Sequence, residues 1–188
     1  YSAEYEENVS KHMLFRHVLV IPNDFAGAMD EASFMPWIHL KQKFKELGRE
    51  VELDIESFTL EFGSEETFRM DEGSKDVESI LNYLKFKGVL DEESQAAEPY
   101  YSKLKDYTTM YAPRGGLVDY HVSPGDHFKA GDKLATFYQM KDIDPMDPIA
   151  SCSHTLLAKD NGIVINRCPS SNVHQGMELF QIMTNIYR

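Results

Sequence analysis

The sequence predicts an α/β segment followed by an all-β segment. Three observations carry that reading. Apolar runs with strand and helix periodicity alternate from Phe15 to Gly88, an acidic stretch interrupts them after Leu90, and a glycine-punctuated pattern then occurs twice between Ala112 and Ile182. The boundaries follow: 1–90 as part of an α/β domain, 91–109 as a linker or crossing segment, 110–188 as the β domain.

Phe15 to Pro22, F-R-H-V-L-V-I-P, is nearly continuous in apolar, β-branched residues and predicts a buried strand. A loop, Asn23 to Asp30, follows. Trp37, Leu40, Phe44 and Leu47 recur at helical spacing before Gly48, which predicts an amphipathic helix. In S-F-T-L-E-F-G-S, from Ser57 to Ser64, Phe58, Leu60 and Phe62 alternate with polar residues. That alternation predicts a strand with Thr59 and Glu61 on the opposite face, placing Glu61 near the carboxyl end, where open α/β sheets hold ligands and catalytic groups. Val77, Ile80, Leu81 and Leu84 predict a second helix, with Ser74 as its N-cap and Gly88 at its end. Two strands and two helices leave both sheet edges open, so this α/β unit needs more sheet than it contains.

The repeat lays A-P-R-G-G-L-V over A-K-D-N-G-I-V: Ala112, Gly116, Leu117 and Val118 fall on Ala158, Gly162, Ile163 and Val164 at an offset of 46. Gly131 and Leu134 fall on Gly176 and Leu179 at an offset of 45. Two halves of this kind, each with an exposed apolar face, are expected to cover one another as a small β sandwich.

Composition excludes several functions. With 42% hydrophobic and 12% aromatic residues the chain supports a packed core. Its net charge of −12 is uneven: residues 1–110 hold 12 Lys and Arg against 23 Asp and Glu, and 111–188 hold 7 against 8. With no basic cluster, nucleic acid is a poor partner. No apolar run reaches the roughly 18 residues of a membrane span, and the acidic start at Tyr1 to Ser10 is not a secretory signal. The expectation is a cytoplasmic protein. Cys152 and Cys168 read as thiols; with His154 and His174 their spacing matches no zinc knuckle.

The repeat, above all S-P-G-D-H-F-K-A-G-D-K-L at Ser123 to Leu134, resembles the barrel-sandwich hybrid fold of biotinyl and lipoyl carrier domains. The carrier function does not follow, because Met140-Lys141 is continued by Asp142-Ile143-Asp144-Pro145 and the modified-lysine motif is absent.

Taken together, F-R-H-V-L-V-I-P-N-D-F-A-G-A-M-D-E, F-M-P-W-I-H-L, T-L-E-F-G and Y-A-P-R-G-G-L-V with its repeat resemble the succinylglutamate desuccinylase and aspartoacylase family. That family joins a zinc-carboxypeptidase-like α/β domain to a C-terminal β domain, and this chain resembles its C-terminal portion. The resemblance implies zinc-dependent hydrolysis of the amide bond of a small N-acylated amino acid, with Glu61 beside the catalytic zinc as the group that activates water and passes on its proton. Arg114, in the A-P-R-G-G turn, is a candidate to hold a substrate carboxylate through a bidentate fork; the competing reading is a solvated turn arginine. Family members bind zinc through a His-x-x-Glu pair and a later histidine. None of the seven histidines here has Glu or His three residues on. The expectation is therefore that no zinc ligand lies in this chain, that the ligands belong to an upstream half of the same protein, and that the 188 residues alone are inactive. His39 reads as a surface histidine. The alternative function is a non-catalytic binding or scaffolding protein that keeps the fold without the metal centre. A homo-oligomer is compatible with either.

Overall fold

A computed structural model describes residues 7–22, 29–53, 56–63 and 69–188. The chain divides into two compact units, Tyr1–Pro99 and Tyr100–Arg188. No helix among the described residues is long and apolar enough to cross a membrane.

The first unit contains α1 (Glu7–Lys11), β1 (His17–Val20), a 3-10 turn (Met29–Ser33), α2 (Met35–Glu46) and α3 (Met70–Phe86). Pro36 in the first turn of α2 suits a position whose backbone N–H has no helical acceptor. Gly48 and Gly88, with positive φ, follow the two longer helices as the sequence predicts. Other expectations change. Helix α3 begins at Met70, four residues before Ser74, whose Oγ donates to the Met70 carbonyl at 3.0 Å from inside the helix and caps nothing. β1 is shorter than Phe15 to Pro22 and only half-buried. The loop expected over Asn23 to Asp30 lies largely outside the described residues.

The face that α3 buries is also not the apolar one. Ser79 and Asn82 are its buried residues, whereas Val77, Ile80 and Leu81 are exposed, Val77 at 56%. A polar network accounts for this. Asn82 Nδ2 donates to the carbonyls of His12, at 2.7 Å, and Gln95, at 2.9 Å, and Asn82 Oδ1 accepts from the Gln95 N–H at 2.8 Å. Ala97 N–H closes the ring of contacts by donating to the Lys11 carbonyl at 3.0 Å, and the His12 ring stacks on Phe86 with centroids 3.8 Å apart. One amide thus satisfies the end of α1 and the segment after α3, groups that are costly to bury unpaired. On α2, Trp37, Leu40 and Leu47 are likewise exposed, Leu47 at 69%. The described residues cover the apolar stripes read from sequence only in part: Phe44 and Leu84 are half-buried and the other stripe residues exposed.

The second unit holds β2 (Tyr100–Lys103), β3 (Tyr107–Tyr111), β4 (Gly116–Tyr120), β5 (His127–Phe128), β6 (Lys133–Tyr138), α4 (Pro148–Cys152), β7 (Ser153–Leu157), β8 (Gly162–Arg167), β9 (Asn172–Val173) and β10 (Glu178–Thr184). β2 and most of β3 fall in the stretch read from sequence as a crossing segment; Tyr101 exchanges both backbone hydrogen bonds with Tyr187, at 2.9 and 3.1 Å. Two four-stranded antiparallel sheets follow, in the orders β3-β10-β8-β5 and β7-β6-β4-β9. They share one core that includes Val118, Phe128, Leu134, Phe137, Val164, Leu179 and Phe180.

The repeat is present in three dimensions but not as two stacked halves. The first copy is β3 to β6 and the second β7 to β10, and each sheet takes two strands from each copy. Backbone bonds recur at the repeat offsets. Ala112 N–H donates to the Met177 carbonyl at 2.8 Å, and its counterpart Ala158 N–H donates to Asp132 at 2.9 Å. Val118 N–H to Ser171, at 2.8 Å, matches Val164 N–H to Asp126, at 3.0 Å. Interleaving is favoured over stacking because a strand paired on both sides leaves no unsatisfied ladder groups.

The repeated glycines have a steric cause. A Cβ on Gly116 would lie 2.6 Å from the Tyr138 carbonyl oxygen, and one on Gly162 would lie 2.6 Å from both the Met183 carbonyl oxygen and Phe128 Cζ. Only hydrogen fits at either place.

Candidate functional site

Glu61 sits on a segment that the sequence predicts as a strand, Ser57 to Ser64. In the structure, 57–63 belongs to no strand among the described residues, and Ser64 lies outside them. A strand needs a run of ladder hydrogen bonds along at least one edge, and no such ladder is formed there among the described residues. The side-chain alternation holds only from Phe58 to Glu61, with Phe58 and Leu60 half-buried and Thr59 and Glu61 exposed; Phe62, expected inward, is 43% exposed, and Ser57, expected outward, is half-buried.

The segment is anchored onto α3. Glu56 accepts from Tyr83 Oη at 2.5 Å and from Lys87 Nζ at 2.8 Å, and Phe58 meets the Tyr83 ring edge-on at 5.8 Å between centroids. Ser57 Oγ lies 2.6 Å from Ser33 Oγ, and Phe62 packs against Phe15 with centroids 6.0 Å apart. Partial burial pushes the Glu56 carboxyl up, but the hydrogen bonds from Lys87 and Tyr83, with the Lys87 charge, outweigh it and hold the group below its ordinary range. Glu61 is thus an exposed carboxylate on a backbone fixed on both sides of it. The sequence reading misses Glu56, Tyr83 and Lys87. The available signal was the spacing of Tyr83 and Lys87, one helical turn apart and hence on one face.

Arg114 lies in the second unit, in the turn that leads into β4, while Glu61 lies in the first. The Arg114 side chain is half-buried, and its Nη1 donates to Gln139 Oε1 at 3.3 Å. His39 is exposed on α2. Cys152 is buried, Cys168 half-buried, and both are free thiols. Among the described residues no group of three His, Cys, Asp or Glu could hold a metal ion. Tyr120 carries a strongly perturbed side chain: burial, then a hydrogen bond with Cys168, raises its pKa. It packs edge-on against the core residue Phe180 and donates to the Ser170 carbonyl at 3.1 Å, which is a structural role.

The class these features define is a unit of helices with one short strand among the described residues, bearing an anchored, solvent-facing carboxylate, followed by a duplicated antiparallel β unit. Solved structures place that class. The chain matches a protein assigned to the succinylglutamate desuccinylase/aspartoacylase family from Shewanella amazonensis SB2B, with 34% identity and a TM-score of 0.84, over 98% of this chain and 50% of that one. A second protein so assigned, from Shewanella frigidimarina NCIMB 400, matches with 31% identity and a TM-score of 0.81, over 95% of this chain and 48% of that one. The ectoine utilization protein EutE (DoeB) from Ruegeria pomeroyi shares the fold at 19% identity, with a TM-score of 0.60 over 94% of this chain and 48% of that one. The resemblance to the succinylglutamate desuccinylase and aspartoacylase family therefore extends along almost the whole chain, which spans about half the length of these solved structures. No protein-family model and no curated protein matches the sequence.

Proposed function

We propose that the chain is the C-terminal portion of a deacylase that hydrolyses the amide bond of a small N-acylated amino acid. The observation that carries this is the 34% identity, sustained over 98% of the chain, to a protein assigned to the succinylglutamate desuccinylase/aspartoacylase family. Its two interleaved sheets are read as a barrel-sandwich hybrid, and its location as cytoplasmic.

Glu61 is the acid-base group of this reading. Its carboxylate accepts a proton from the attacking water and returns it to the departing amine nitrogen, so that water divides between the two products. Exposure supports the role, because a carboxylate facing solvent is reachable by a substrate; the contacts with Tyr83, Lys87 and Phe15 hold the backbone that carries it, as positioning requires. The described residues do not fit a zinc site, so no step is assigned to a metal here. Zinc and its ligands are proposed to belong to an upstream half of the same protein, and the 188 residues alone to be inactive.

The test compares this chain with the protein carrying that upstream half, by elemental analysis for zinc and by turnover of a panel of N-acyl amino acids. The longer protein is expected to bind zinc and hydrolyse; the 188-residue chain does neither. Glu61→Gln in the longer protein is expected to keep its fold and metal while losing roughly 10²–10⁴-fold in turnover. An unimpaired Glu61→Gln protein removes Glu61 from the reaction. The second reading is a non-catalytic binding or scaffolding protein that keeps the fold without the metal centre. A mass near 21.6 kDa for the protein isolated from its source would support that reading, and a mass about twice as large the first.

A further inference from the structure

We propose that Arg114 and Gln139 form a binding site for a carboxylate. The inference rests on the deacylase reading only for the identity of the ligand, the free carboxylate of an N-acyl amino acid.

The position is built rather than incidental. β4 is an inner strand, with Leu117 opposite Tyr138 of β6 and Gly116 opposite Val173 of β9. The turn before it is wedged between the ends of those neighbours: a Cβ on Gly115 would lie 3.2 Å from the Val173 carbonyl oxygen, and one on Gly116 would lie 2.6 Å from that of Tyr138. Arg114, Gln139 and His174 therefore converge at one end of the sheet on a backbone with no room to shift.

The repeat supplies an internal control. Its offsets lay Arg114 over Asp160, Gln139 over Thr184 and His174 over Lys129. Those three counterparts line an open concavity of about 940 Å³ at the equivalent end of the other sheet. The second turn thus folds onto the same frame with a residue of opposite charge, so the frame does not require an arginine.

What the guanidinium does have is spare hydrogen-bonding capacity. It uses one N–H, on Gln139 Oε1, of the five it carries. Among the described residues no carboxylate pairs with it, although the chain holds 31 Asp and Glu against 19 Lys and Arg. A half-buried cation with unfilled donors favours a planar anion that can take two parallel N–H bonds, the geometry of a carboxylate. With Gln139 Oε1 occupied by Arg114, its amide NH₂ is left as a further donor.

The experiment is a nuclear magnetic resonance titration of the 188-residue chain with N-acetylglycine and, as the uncharged control, N-acetylglycinamide. The acid is expected to shift the Gly115 and Gly116 amides and the Arg114 Nε–H saturably; the amide leaves them in place. Arg114→Asp, which copies the other turn, should melt as the parent does and weaken the acid at least 10-fold. Arg114→Lys should also weaken it about 10-fold, because an ammonium lacks the fork. Equal shifts with the neutral control, or acid binding by Arg114→Asp within threefold of the parent, would overturn the site. If Arg114→Asp melts early, Arg114→Gln replaces it under the same criteria. Binding is read without turnover, so a longer protein that hydrolyses no member of the N-acyl amino acid panel sinks the deacylase reading and leaves the site standing.

Discussion

Leu134 and Leu179 occupy equivalent places in the two copies of the repeat, and both are fully buried in the core shared by the two sheets. Replacing either by alanine removes three carbon atoms from that core. At about 0.8 kcal/mol per buried methylene the transfer loss is about 2.4 kcal/mol, and the unfilled space brings the expected cost to about 3 kcal/mol. The two substitutions should agree within about 1 kcal/mol, since burial and chemistry are the same. A unit of this size has a stability of roughly 5–13 kcal/mol, so each single variant stays folded with a lower midpoint. The assay is denaturant unfolding of residues 100–188, followed by circular dichroism and by amide exchange strand by strand. Interleaving requires one transition: Leu134→Ala must weaken protection in β8 and β10 as much as in β4 and β6. Exchange that accelerates in β3 to β6 while β7 to β10 stay protected would refute the single shared core.

Glu56→Gln should loosen the segment that carries Glu61, at a cost of about 1 kcal/mol, because the partly exposed ion pair with Lys87 loses its charge and the carboxamide keeps one accepting oxygen for the two donors, Tyr83 and Lys87. The folded Glu56 pKa is depressed, so the native advantage over the variant is fully present above the ordinary value of 4.5 and disappears as pH falls through the lower folded value; melting both proteins from pH 7 down to pH 3 checks the sign. Gly162→Ala should destabilise the second unit by about 2 kcal/mol or more, because the added methyl meets a backbone oxygen and the buried Phe128 ring. A midpoint unchanged in urea would contradict that close approach.

The β unit was the more legible half of the sequence. Its glycines, apolar pairs and offsets of 46 and 45 reappear as matched strands because each is dictated by a local steric or hydrogen-bonding need, as at Gly116 and Gly162. What the sequence hid was the partner of each strand: residues that cover an apolar face carry no mark of which copy supplies the cover. In the first unit the periodicities of α2 and α3 were read with the correct spacing, yet α3 buries Ser79 and Asn82, because one amide serving three carbonyl and N–H groups leaves no periodic trace. Ser74 misled for a related reason: a serine caps a helix or bonds back inside one with the same side chain. Glu61 was legible as an outward-facing carboxylate, whereas Tyr83 and Lys87, which anchor the nearby Glu56, lie 27 and 31 residues beyond it and meet it only in the folded unit.

Because each sheet draws two strands from each copy, the peptide connecting Tyr138 to Ser153 is not what keeps the copies together. Cutting it would leave two fragments that still share every ladder between them. Conversely, one copy by itself is not half a domain: its β4–β6 pair and its lone β3 and β5 belong to different sheets, with most of their hydrogen-bonding edges unfilled. The duplication thus supplies, within one chain, the strands that fill the edges a single copy leaves open.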